Sequence, residues 1–529
     1  MTVATAPVLE QPPAPTPLPS HHRRQVAWPT VAGLAGLVAL AAALRLEGIG
    51  TWYWVDEALS VGIARHPLAD IPHLLLRDGS PPLWYLLAHV WTSAFGSTAA
   101  ATHALSLVFA LAIVPVGWRA GRRLVDARTG WFAAALLAIN PFVTYFARET
   151  RMYTLVALLG VVVAWTFVAA FVDGRARAHL AFAAALLALV YTHNWGLYTG
   201  VGCAAALVPL WLASTDRRSL VRRAAVAFGI VAVGYAPWLP TLRSQIRNTG
   251  APWSYTPSAR GVVSELAALF RDERVLVVLG IVAVVGLVPL ISARRWTRDA
   301  LMATSLVILV GVPVVIGWTL SHVEPSWATR YLAVVVGPLV LLLAMGLSRA
   351  SGAGVAAIVI AGVLVLQPVT RLHGYPLPRD AKSNAHGVAL DLGPRLRRDD
   401  LVVVAQPEAV PLLRLELGPS LAYADPTGRL ADPTIMDWRG ALDRLHAASF
   451  SADVAPLLDR LAVGQRVVLV EPGNEPKATD TTWISTFRAK GNEIEAELRR
   501  DRRFQLIGAS AGSGLEYVTV DALLFERIS

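Results

Sequence analysis

Two adjacent carboxylates, Asp56 and Glu57, stand in the segment TWYWVDEALS, just past a cluster of aromatics and an apolar stretch. A carboxylate within hydrogen-bonding distance of a hydroxyl can take its proton as that hydroxyl attacks, which is the work of a general base. Further along, FARETRMY groups Arg148, Glu149, Arg151 and Tyr153, THNWGLY supplies His193 and Trp195, and HVEPSWATRY supplies Trp327, Arg330 and Tyr331. Guanidinium groups hold phosphate oxygens with planar, paired donors. Aromatic rings cover the apolar faces of sugars and anchor at a membrane interface. Together these residue types fit a sugar carried on a lipid phosphate: the leaving phosphate gathers negative charge that arginines stabilise, and a leaving group already activated in this way needs no nucleotide.

Each motif also has a plainer reading. The carboxylate pair could be solvated at the interface, Arg148, Glu149 and Arg151 could form a local ion-pair cluster, and His193 could be a packed turn residue. WATRY could be an aromatic belt with a snorkelling arginine. The conjunction carries the functional reading. Asp70, His73 and Asp78 lack the compact spacing of a metal site, so no metal is assigned, no cofactor is required and a divalent cation is not indicated.

The elements that must position these residues are membrane helices. The chain has 529 residues, 55% hydrophobic and 16% charged, with its apolar residues in long blocks. Uncharged blocks near 26–44, 101–118, 130–146, 152–172, 224–242, 275–293, 300–321, 331–348 and 350–370, with two more in 180–215, predict eleven spans. Residues 79–118 could cross twice; placing PPLWYLLAHVWTSAFG along the interface instead leaves sixteen Arg against four Asp in the N-terminus and the loops on its side. The opposite loops hold ten acidic and ten basic residues. The expectation is therefore a multi-pass protein of the cell membrane with a cytoplasmic N-terminus and an extracytoplasmic C-terminus. The net charge of +10 sits in Arg clusters between spans, an orienting pattern and not a nucleic-acid surface. The single cysteine, Cys203, excludes a disulfide framework.

Three domains are expected: a disordered cytoplasmic tail at 1–25, a catalytic membrane domain at 26–371 with a large first outer loop at 47–100, and a soluble extracytoplasmic α/β domain at 372–529. In the last, DLVVVAQ, QRVVLVEP, FQLIGAS and YVTVDALLFE read as strands, and RGALDRLHAASF and WISTFRAKGNEIEAELRR as helices. No glycine-rich phosphate loop follows a strand.

WVDEALS after the first span, then DGSPPLWYLL, GRRL, AAALLAINPFVTYFARETRMYTL and WATRYLAVVVGPL, resemble in order the GT-C glycosyltransferases of the protein O-mannosyltransferase and aminoarabinose-transferase type. The resemblance covers roughly 26–370. It implies a polytopic α-helical GT-C fold and a transferase that takes sugar from a polyprenyl-phosphate donor, with inversion, on the extracytoplasmic face. Asp56 matches the Asp of the family's first-loop Asp-Glu motif, the expected catalytic base, with Glu57 beside it. Glu149 matches the second-loop acidic position, which orients the acceptor or assists the base. Arg148 and Arg151 would face the phosphate, and Arg330 with Tyr331 match the late Arg-Tyr element near it. Tyr153, His193, Trp195 and Trp327 are the expected sugar or acceptor contacts. The donor sugar is expected to be mannose or arabinose, and the acceptor a cell-envelope glycan or lipid ahead of a protein. Two other readings stay open. A flippase or transporter of a lipid-linked sugar predicts ionisable residues inside the spans, and the apolar blocks contain no Asp, Glu, Lys or Arg. A non-catalytic glycan-binding assembly protein predicts dispensable carboxylates.

Overall fold

The computed structural model describes residues 28–292, 296–366, 382–477, 480–512 and 518–529. The tail expected at 1–25 and the expected start of the last domain, 372–381, lie outside the described residues.

The order of helices is α1 (Trp28–Leu46), α2 (Val55–Ala64), α3 (Ile71–Asp78), α4 (Leu83–Phe95), α5 (Ala99–Leu124), α6 (Ala127–Ala138), α7 (Pro141–Phe146), α8 (Tyr153–Phe167), α9 (Ala178–Thr192), α10 (Trp195–Ala213), α11 (Arg217–Tyr235), α12 (Leu239–Asn248), α13 (Ala259–Ala268), α14 (Glu273–Ser292), α15 (Arg298–Ser321), α16 (Ala333–Arg349) and α17 (Gly352–Leu366). Among the described residues, eight helical runs are long and apolar enough to cross a membrane: α1, α5, α8 with its π-helical extension, α10, α11 with α12, α14, α15 and α16. They coincide with eight of the eleven expected spans. Two more, α9 and α17, are shorter apolar helices. The eleventh, 130–146, is broken. Pro141 has no N–H with which to continue α6, and Asn140 starts α7 by accepting from the Val143 N–H at 2.9 Å. Residues 79–118 contain one full-length crossing helix, α5, because α4 ends at Gly96 in a positive-φ turn.

Close helix packing and one buried cation hold the bundle together. A Cβ on Gly337 of α16 would lie 2.2 Å from the Val161 nitrogen of α8, so only glycine allows that approach. Arg45, fully buried at the end of α1, donates to the carbonyl oxygens of Ala110, Leu137 (2.7 Å) and Ala138 (3.2 Å) and so ties α1 to α5 and α6.

The C-terminal part is a mixed six-stranded sheet in the order β3-β2-β1-β4-β6-β5, from β1 (Leu401–Val404), β2 (Ala422–Asp425), β3 (Gly428–Arg429), β4 (Arg466–Pro472), β5 (Phe504–Ser510) and β6 (Val520–Arg527). β1 pairs in parallel with β2 and β4, and the other pairs are antiparallel. All four residues of β1 are buried, the signature of a central strand covered on both faces. Helices α18 (Ala385–Leu392), α19 (Val410–Leu417), α20 (Ala441–Ala447), α21 (Ala455–Asp459) and α22 (Thr482–Arg500) complete it. The four strands and two helices expected from sequence are present; β2 was missed because AYAD has neither β-branched residues nor an apolar alternation.

The two parts meet at α2. Its Val55, Ala58, Leu59 and Val61 belong to the same apolar core as Val402, Val404 and Trp483 of the sheet domain, while Ile63 and Ala64 join the core of the bundle. Nine of its ten residues are buried, and the exception is Asp56. A Cβ on Gly62 would stand 1.8 Å from the Thr434 carbonyl oxygen, so the docking surface tolerates no side chain there. Gly62→Ala should therefore lower the thermal midpoint of the detergent-solubilised protein by several degrees, an overpacking cost of about 1–3 kcal/mol. Gly36→Ala, inside α1 with open space around its Cβ, serves as the control that does not lower the midpoint.

Candidate active site

Seven of the residues singled out above gather at one end of the bundle, around a cavity of about 460 Å³. Asp56, Arg151, Tyr153, His193, Trp195, Arg330 and Tyr331 line it. They come from the start of α2, the turn before α8, the α9–α10 turn and the α15–α16 connection. A larger cleft of about 730 Å³ lies beyond the bridge between Thr249 and Arg439, but it contains neither an expected site residue nor an aromatic side chain.

Asp56 and Arg330 face each other with Oδ2 and Nη2 3.4 Å apart, an ion-pair contact too long for a well-formed hydrogen bond. Arg330 also lies over the Trp253 ring, 4.7 Å from its centroid. Arg151 donates to the Ser60 hydroxyl at 3.0 Å and to the Asp56 carbonyl at 3.3 Å, which fixes its guanidinium against α2. His193 Nδ1 accepts from the Trp195 N–H at 3.1 Å. Burial, reinforced by Arg151 and Arg330, holds its imidazole down at about 3, so the ring is neutral and Nε2 carries the N–H. The Tyr331 ring packs against those of His193 and Trp195, with centroids 4.9 Å and 5.7 Å away. The wall thus offers the Asp56 carboxylate with those of Asp78 and Glu324, two guanidinium groups, a neutral imidazole donor and a set of aromatic faces.

Four expected site residues stand behind that wall. Glu57 is fully buried, with every bond turned inward: Oε1 accepts from His103 Nε2 (2.5 Å) and the Thr150 N–H (2.8 Å), and Oε2 from Lys382 Nζ (2.7 Å) and the Trp54 N–H (3.3 Å). Burial alone would raise its carboxyl, but Lys382 and His103 outweigh it and hold Glu57 at about 2. Arg148 donates to the Glu47 carbonyl at 3.0 Å and does not line the cavity. Glu149, fully buried, sits in the same inner layer. Trp327 packs edge-on to Trp195 at 5.2 Å and donates to Glu265 at 2.5 Å. Asp78, Asn194 and Glu324 also line the cavity, although sequence reasoning assigned them no site role, and it missed Trp253 and Trp438 of the cavity and His103 and Lys382 behind it. Trp438 arrives from the sheet domain, its N–H donating to the Arg77 carbonyl at 2.9 Å, and no local pattern marks it. Among the described residues no group of three or more His, Cys, Asp and Glu is placed to hold a metal ion.

Burial lifts the Glu149 carboxyl to about 7, with Glu57 and Asp56 adding to the rise and Lys382 opposing it. In the unfolded chain the same group titrates near about 4.3, so between these values the folded state holds more protons and stability falls as pH rises. Glu57 behaves oppositely: its contribution is present above about 4.3 and is lost only as pH falls toward 2. Glu149→Gln should accordingly come closest to the wild type in thermal midpoint below about pH 4, where Glu149 is protonated in both states, and exceed it at pH 8. A midpoint difference that does not change with pH would show that Glu149 does not titrate in this window.

No protein-family model matches the chain, and no curated protein matches it by sequence. Solved structures do. The apo structure of ArnT from Cupriavidus metallidurans superposes with a TM-score of 0.58 at 14% identity, covering 93% of this chain and 98% of that one. Its undecaprenyl phosphate complex gives 0.56 at 15% identity, over 93% and 97%. The archaeal oligosaccharyltransferase AglB from Archaeoglobus fulgidus, in complex with an inhibitory peptide and a dolichol-phosphate, gives 0.54 at 11% identity, over 84% of this chain and 69% of that one. The arabinofuranosyltransferase AftD from Mycobacteria gives 0.51 at 15% identity over 95% of this chain and 40% of its own. At these identities the likeness is one of fold, and it extends through both the membrane bundle and the C-terminal domain. The chain is a polytopic membrane protein with a C-terminal mixed-sheet domain, and its structural neighbours are GT-C glycosyltransferases.

Proposed function

We propose that this protein is an inverting glycosyltransferase that moves a sugar, mannose or arabinose, from a polyprenyl-phosphate donor to a cell-envelope glycan or lipid on the extracytoplasmic face of the membrane. The observation that carries the reading is Asp56: the one incompletely buried residue of α2, it pairs with Arg330 in the wall of an aromatic-lined cavity at the end of a membrane bundle. Undecaprenyl phosphate bound to one neighbour of the same fold and dolichol-phosphate bound to another support the lipid-phosphate donor. The Arg bias of the loops supports a cytoplasmic N-terminus with the cavity and sheet domain outside. The change from a helical part ending at Leu366 to a sheet-bearing part described from 382 onward supports a domain division near residue 371.

The reaction is a single displacement. Asp56 takes the acceptor hydroxyl proton as the oxygen bonds to the anomeric carbon. The bond from that carbon to the phosphate oxygen breaks on the opposite face, and its electron pair leaves with the lipid phosphate. Arg330 and Arg151 are the donors for the charge gathering there, acting inside a cavity that water screens poorly. The long Asp56 to Arg330 contact suits this sequence: a phosphate oxygen offers Arg330 a better, bidentate partner and releases the Asp56 carboxylate toward the acceptor. Tyr153, His193, Trp195 and Tyr331 surround the space left for the sugar.

Purified protein, supplied with polyprenyl-phosphate mannose or polyprenyl-phosphate arabinose and envelope extracts, should transfer label from one donor, and Asp56→Asn should reduce that transfer by more than about a hundredfold without unfolding the protein. Arg330→Met should lower kcat and kcat/KM together by about ten- to a hundredfold, because its bond to the departing charge strengthens in the transition state. Equal transfer by wild type and Asp56→Asn would place the base elsewhere. Binding of both lipid-linked sugars without transfer would favour the flippase.

A further inference from the structure

The sheet domain reaches into the membrane domain with one charged side chain. Lys382, 5% exposed, donates from Nζ to Glu57 Oε2 and to the Arg148 carbonyl, both at 2.7 Å. A buried lysine is rare unless paired, and this one spends two of its three N–H bonds on the layer directly behind the cavity. The arm that carries it is pinned to the sheet. Val518 donates its N–H to the Lys382 carbonyl at 3.0 Å, and the Asn384 side chain both donates to the Val520 carbonyl (2.7 Å) and accepts from the Val520 N–H (2.8 Å) at the start of β6.

We propose that Lys382 is a positioning residue for Asp56: docking of the C-terminal domain seats its ammonium against Glu57 and so fixes the first turn of α2, from which the neighbouring carboxylate faces the cavity. This rests on the reading of Asp56 as the base. The geometry gives Lys382 no direct part in chemistry, since neither it nor Glu57 lines the cavity. It acts through one short chain of contacts. Glu57 receives the Trp54 N–H at the helix start, the Thr150 N–H of the turn before α8 and His103 of α5, and Lys382 completes the set. Without it, a buried carboxylate loses a partner and the turn bearing Asp56 keeps its apolar packing on the sheet domain but loses its ion-pair link to it. The C-terminal domain is then a working part of the transferase site and not only a cover for it.

The test compares wild type, Lys382→Met, Glu57→Gln and the double variant as full chains in detergent. Two measurements are made: transfer kinetics with the lipid-linked donors, and amide hydrogen exchange over Val55–Ala64. The expected result is a kcat lowered by about thirtyfold or more in Lys382→Met with donor KM within about twofold. The double variant should be no slower than the slower single one, because both substitutions break the same link. Exchange in α2 should rise about tenfold in Lys382→Met while the other outer helices keep their protection. Lys382→Gln, which keeps a donor without the charge, replaces Lys382→Met if the latter does not fold. A kcat within about twofold of wild type with unchanged α2 exchange would overturn the proposal, as would losses that multiply in the double variant. If the wild type transfers nothing, the functional reading fails, and the α2 exchange then decides the Lys382 link by itself.

Discussion

A single buried carboxylate, Glu57, is the point through which this structure is joined. An ionised carboxylate without water needs all of its acceptor capacity filled, and the four groups that fill it come from four places in the chain: the turn before α2, the start of α5, the turn before α8 and the arm of the sheet domain. His103 presents Nε2 to Glu57 and Nδ1 to the Ile49 carbonyl at 2.6 Å, so both of its ring nitrogens are also held. None of these partners can move far without leaving a charge unpaired in a dry interior, which makes the register between bundle and sheet domain specific. Apolar burial alone, which has no direction, would not fix it.

Adjacent residues of the same chemical class thereby reach different environments. Glu57 turns inward and is bonded from every side, whereas Asp56, one position earlier on the same helical turn, faces the cavity with a side chain 17% exposed. The helix N-terminus favours negative charge at both positions. Environment divides the roles, as it does wherever two carboxylates of one site are made to do different work. The arginines show the same division: Arg151 and Arg330 line the cavity, while Arg148 supports the layer behind it through its side chain and its carbonyl.

The membrane helices were legible because apolar length is a local property. Each uncharged block long enough to cross is a helix, and the one that breaks does so at Asn140-Pro141, where the sequence shows the reason. The strands of the last domain were legible wherever β-branched runs occur, and AYAD was not. Among the candidate site residues, those flanking the spans were found because polar and aromatic groups at the ends of apolar blocks are conspicuous. Their sorting into a cavity wall and an inner layer was hidden. Neighbours on one helical turn point about 100° apart, and which of them meets water depends on what packs against the helix.

What the sequence by itself determined is therefore what depends on nearby residues: a polytopic helical bundle, a sheet domain after it, and a ring of carboxylate, guanidinium and aromatic groups at the ends of the spans. Only the tertiary structure decided that Asp56 and not Glu57 faces the cavity, that Trp438 of the sheet domain helps to line it, and that Lys382 reaches Glu57 across 325 positions of chain. The reason is physical. A salt bridge between residues so far apart leaves no periodicity or spacing to read, and it exists only once the two apolar cores have closed against α2.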